Sequence, residues 1–147
     1  MNEAVTILDF MRLWPQFEQP SWRPWKSFLS ALFNLPMGRF DYSYYAECTG
    51  RTELPTEPFS EATVICGRRS GKSQILALTA VYLAVCRPWA DHLAHGEQAT
   101  IACVCVDRRQ ARTILRYIIG LLRAIPAFSD LVSNETQWGP SPCPPVA

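Results

Sequence analysis

Eight consecutive residues, Cys66-Gly67-Arg68-Arg69-Ser70-Gly71-Lys72-Ser73, hold the densest chemistry in this 147-residue chain. Glycines at 67 and 71 permit a tight turn in which backbone N–H groups converge, and convergent donors of this kind hold phosphate oxygens. A helix beginning at Lys72 aims the positive end of its dipole at the same place. Lys72 then reaches the β- and γ-phosphates as a point charge. The Ser73 hydroxyl ligates Mg²⁺, a hard cation that takes oxygen ligands. Arg68 and Arg69 stand inside the turn either as forks for phosphate oxygens or as solvated loop arginines. Measured against G-x-x-x-x-G-K-[ST], the Gly-Lys-Ser end is complete, but Cys66 occupies the first glycine's place and Gly67 comes one position late.

Such a turn works only if a buried strand delivers it and a helix leaves it, and the flanks read that way. Residues 62–66 form a short apolar, partly β-branched run, which predicts a strand. Lys72 to Cys86 is apolar nearly all round and predicts a helix sandwiched in the core until Pro88 stops it. Residues 100–106 carry no charge and predict a second buried strand. Asp107 with Gln110 fits a capping box for a helix over about 108–124. Two β-α units predict an α/β protein with a P-loop NTPase-like parallel sheet core, left incomplete, and open strand edges through which copies would self-associate. Upstream, apolar spacing predicts helices over 3–13 and 23–34, a weaker one over 41–48, and a loop over 49–58. The chain thus divides into a helical N-terminal segment (1–58), the start of the core (59–136) and a proline-rich disordered tail (137–147).

Composition narrows the rest. Hydrophobic residues make up 48% and charged residues 18%, a globular balance, and a net charge of +1 confines any basic site to a local patch. Six cysteines without a secretory signal predict free thiols in a reducing compartment, with Cys66, Cys86, Cys103 and Cys105 buried. No C-x-x-C pair exists, and His92 and His95 lack companions at metal-ligand spacing, which argues against zinc. The longest uncharged stretch, 73–86, is too short to span a bilayer, so no membrane association is expected.

The turn resembles the P-loop of the large terminase subunit of tailed bacteriophages. So do Trp22-Arg23-Pro24-Trp25-Lys26-Ser27-Phe28-Leu29 upstream and Asp107-Arg108-Arg109-Gln110-Ala111-Arg112 after the second run. The resemblance covers roughly residues 5–136. It implies the beginning of an ATPase domain that binds ATP and Mg²⁺ and, in the complete protein, drives double-stranded DNA into the capsid. The small terminase subunit and portal protein would be its partners, in the cytoplasm of a bacterial host. Loops of the family often lack the first glycine, which accommodates Cys66.

By position, Arg68 takes the catalytic place of an arginine that senses or stabilises the γ-phosphate. Gly67, Arg69, Ser70, Gly71, Lys72 and Ser73 line the nucleotide site, with Ser73 on the metal. The upstream segment is similar to the adenine-side motif, with Lys26 where many members have glutamine. Trp25 either stacks near a base or belongs to the core. The family's Asp-Glu pair, which holds Mg²⁺ and activates water, does not follow either run. Asp107 is followed by Arg108 and reads as a helix cap. This implies an ATP-binding fragment inactive alone. The alternatives are a self-contained nucleotide-binding or interaction module, or a small P-loop phosphotransferase using Asp107. Arg108, Arg112 and Arg116, four residues apart, follow a DNA backbone or form a solvated face.

Overall fold

Thr6 opens the first helix, its hydroxyl accepting the Asp9 N–H at 3.2 Å, so that Ile7–Met11 (α1) turns Ile7, Phe10 and Met11 inward. The computed structural model describes residues 5–132; the proposed tail over 137–147, Cys143 and the first residues of the 3–13 helix lie outside them. Short 3-10 turns at Pro15–Glu18 and Pro20–Trp22 carry the chain to Arg23–Leu32 (α2). Pro24 sits in the first turn of α2, where a missing N–H costs nothing. The stretch read as a weak helix over 41–48 is a full one, Arg39–Thr49 (α3), closed by Gly50 in the left-handed conformation at φ +69°. Lys72–Cys86 (α4) matches its sequence boundaries, Arg108–Arg123 (α5) follows Asp107, and Pro126–Ser129 adds a single turn (α6).

The α/β expectation is overturned: among the described residues the architecture is all-helical, with no strand and no sheet. Residues 62–66 and 100–106 run as irregular chain, and their largest apolar side chains are exposed. Ile65 is 97% exposed, Val104 92% and Val106 101%. The physical reason lies in pairing. A strand exists only through ladder hydrogen bonds to neighbours, and two strands alone are marginal in water, whereas a helix satisfies its own backbone and needs only one apolar partner. The cysteine expectation changes with it, since Cys103 is exposed while Cys66, Cys86 and Cys105 are half-buried.

The core therefore forms between helices. Ile7, Phe10, Met11 and Trp14 from the N-terminal segment meet Ile75, Leu78 and Val81 of α4, with Ile114 and Leu121 of α5 closing the cluster. Two polar ties fix the register: the Trp14 indole N–H donates to the Leu121 carbonyl at 3.1 Å, and the Tyr82 hydroxyl donates to the Val5 carbonyl at 3.0 Å. Helix α4 is buried over most of its circumference, as its composition predicts: Ile75, Ala77, Leu78, Ala80, Val81 and Tyr82 are all buried, here against helices and not a sheet, while Leu76 is 55% exposed. Helix α3 is held to α2 by the Arg23 guanidinium over the Phe40 ring, 3.3 Å from its centroid, and by Ser27, whose buried hydroxyl donates to the Asp41 carboxylate at 2.8 Å. The first of these is a cation–π contact, the second a hydrogen bond to a charged acceptor.

Candidate phosphate-binding loop

Residues 66–71 reach α4 as a turn with two left-handed positions, Arg69 at φ +59° and Gly71 at φ +86°. Glycine meets the second requirement without strain. Arginine at the first is uncommon, the kind of backbone outlier that clusters at ligand clamps. Gly71 is the N-cap of α4 and offers no side chain to its first N–H groups, and the first turn carries no acidic residue. A fifteen-residue helix thus begins without a side-chain cap and with an uncompensated positive dipole end, while the Gln74 N–H turns back to the Gly71 carbonyl at 2.9 Å.

Around that end stand the residues singled out by sequence. Arg68, Arg69 and Lys72 are exposed, and Ser70, Gly71 and Ser73 are partly buried. The Ser70 hydroxyl oxygen itself is buried and has no hydrogen-bond partner, an uncommon state for a polar atom. Gly67 has open space where a Cβ would stand, so nothing in the fold demands glycine there. The loop is an open surface feature. Two cavities, of about 590 and 530 Å³, lie elsewhere, one lined by Tyr45 and residues 50–60 and the other by Phe33, Phe59, Leu83 and Trp89 among others.

The structure brings together two segments that only the family resemblance had associated. The Trp25 indole N–H donates to the Ser70 carbonyl at 2.6 Å, across 45 residues. The Trp22 ring lies against Gly71, where an added Cβ would meet two ring carbons at 2.6 Å. Trp25 also packs edge-on against Phe28, with centroids 5.8 Å apart, so its ring is engaged with protein at both edge and side. Of the two readings of Trp25, this arrangement favours packing over a platform for a base. Lys26 points to Glu18, 3.6 Å away, and is a partner of that carboxylate. The contact of Trp22 with Gly71 was not read from sequence, although the Trp-x-x-Trp spacing at a helix start was the available signal.

Asp107 is placed as the capping reading expects. Its carboxylate accepts the Arg109 N–H at 3.1 Å, and its other oxygen lies 3.8 Å from the Arg109 guanidinium. Both oxygens thus have partners at the start of α5, the arrangement of a helix cap. Arg108, Arg112 and Arg116 lie on the exposed face of α5, with Arg116 donating to the Thr113 hydroxyl at 3.3 Å. Among the described residues no group of three or more His, Cys, Asp or Glu side chains is placed to hold a metal ion. Among the described residues no helix is long and apolar enough to cross a membrane. Comparison with protein-family models, curated proteins and solved structures finds no match for this chain.

Proposed function

We propose that the chain binds the triphosphate of ATP, with Mg²⁺, at residues 67–73 and the start of α4, as the nucleotide-binding part of a DNA-packaging motor of the terminase kind. The observation that carries the binding reading is the turn itself: left-handed Arg69 and Gly71 feed an uncapped helix end beside the exposed Lys72 and the unpartnered Ser70 hydroxyl. Backbone donors and the dipole would hold the phosphates, Lys72 would neutralise their outer charge, and Arg68 and Arg69 would supply forks to the terminal oxygens. Ser73 would contribute a hydroxyl to the cation.

The motor role rests on the sequence resemblance, which also names double-stranded DNA, the small terminase subunit and the portal as partners. Binding rather than turnover is the expected activity, because water activation needs a free carboxylate or amide and Asp107 is engaged in capping. Calorimetric titration of Mg-ATP into the wild type and Lys72→Ala tests the reading. The variant should bind at least tenfold more weakly, the scale of about 1.5–3 kcal/mol for a charge-assisted hydrogen bond. Equal affinities would remove the loop from consideration as the site.

A further inference from the structure

The loop is held by two tryptophans from another part of the chain, Trp22 and Trp25. Loops with left-handed positions have alternatives close in energy, and Arg69 in particular pays a conformational cost that only surrounding contacts can maintain. Two contacts are available. The Trp25 N–H takes the Ser70 carbonyl at 2.6 Å, and the Trp22 ring covers Gly71 so closely that no side chain fits between them. Trp22 is in turn braced edge-on by the fully buried Phe17, with centroids 4.9 Å apart. The brace therefore runs from the hydrophobic core through Trp22 to the first residue before α4.

From this geometry we infer that Trp22 and Trp25 are positioning residues for phosphate binding: they hold residues 69–71 in the turn that presents the backbone donors. The inference rests on the phosphate reading of the loop. With the Ser70 carbonyl engaged by Trp25 on one side, the Gly71 N–H of the same peptide is fixed facing the other way, as a planar trans peptide requires. Loss of the indole N–H frees that peptide to rotate, and binding then bears the ordering cost that the clamp otherwise meets in advance.

Exposed Arg68 and Arg69 supply a reporter that needs no nucleotide, because trypsin cuts after arginine only where the chain can open. Cleavage after these two is compared with cleavage after Arg51, an exposed arginine at the start of the 50–60 loop, which neither tryptophan is seen to hydrogen-bond, in the full chain. Trp25→Phe keeps a ring and removes the donor. It should raise the loop-to-Arg51 cleavage ratio several-fold and weaken Mg-ATP about tenfold, the scale of one hydrogen bond. Trp22→Phe withdraws the outer ring atoms from Gly71 while keeping an aromatic contact with Phe17, and should act in the same direction; it serves if Trp25→Phe does not fold. Mg-ATP should protect the loop from trypsin in the wild type at lower concentration than in either variant. A general loss of packing would instead raise cleavage at Arg51 equally and leave the ratio unchanged, and that result overturns the inference. A wild type that neither binds Mg-ATP nor differs from Lys72→Ala overturns the phosphate reading, while the cleavage ratio still decides the clamp.

Discussion

At the scale of single residues the two loop glycines have opposite roles. Gly71 combines φ +86° with a Trp22 ring that leaves no room for a methyl group, whereas Gly67 has nothing within 4 Å of where a Cβ would stand. Gly71→Ala should therefore lower stability by about 2 kcal/mol or more, since left-handed backbone costs about 1–2 kcal/mol outside glycine before the steric clash is added. Gly67→Ala should change it by less than about 0.5 kcal/mol, the usual range for an open surface position. Urea denaturation of the two variants side by side measures the contrast.

Tyr82 provides a pH test. Burial pushes its hydroxyl above the ordinary tyrosine value, an effect that the nearby Arg87 only partly offsets. A folded-state value raised above the unfolded one means stability is complete below about pH 10 and falls as pH rises through the folded value. The Cys86 thiol, also raised by burial, adds to the same alkaline loss from a lower starting pH. Thermal melting across the alkaline range should show the decline. Tyr82→Phe should remove its upper part while costing about 1 kcal/mol at neutral pH through the lost bond to Val5.

At the scale of elements, α5 shows how one carboxylate can mimic catalytic chemistry while serving local structure. Asp107 ends an apolar run, as a magnesium-binding aspartate would, yet its oxygens go to the Arg109 N–H and guanidinium. Asparagine caps as well as aspartate and alanine does not. Asp107→Asn should therefore leave stability nearly unchanged and Asp107→Ala should cost about 1 kcal/mol, with Mg-ATP affinity unaffected by either. A large affinity loss in both variants, measured by calorimetry, would return Asp107 to the nucleotide site. Helix α4 carries the complementary lesson. Its apolar composition marks it as central, and the helices around it bury Ile75, Ala77, Leu78, Ala80, Val81 and Tyr82, with only Leu76 of its large apolar side chains left outside.

At the scale of the whole molecule the exposed runs 62–66 and 100–106 dominate the surface chemistry. Uncharged, β-branched and free of proline, residues such as Ile65, Val104 and Val106 have the composition of segments that pair between copies. The chain should self-associate at micromolar concentration, and light scattering should fall when Ile65→Lys and Val104→Lys are introduced together, since charge on such a segment opposes pairing. A wild-type chain that stays monomeric and melts sharply and reversibly would contradict this.

Helices α2, α4 and α5 were legible in the chain because their information is local: apolar residues at helical spacing, Pro24 at one start, Asp107 at another and Pro88 beyond an end. The turn before Lys72 was legible for the same reason, since Gly71 announces its left-handed position. The two strands were not determined in this way. An apolar run states only that its residues avoid water, and whether it enters a sheet depends on partners distant in sequence, which 62–66 and 100–106 lack among the described residues. Nor could spacing alone bring Trp25 to the Ser70 carbonyl or Trp22 to Gly71. Those contacts follow from the way α1 and the turns after it bury Phe10, Trp14 and Phe17 against α4, a packing choice that exists only once the helices meet.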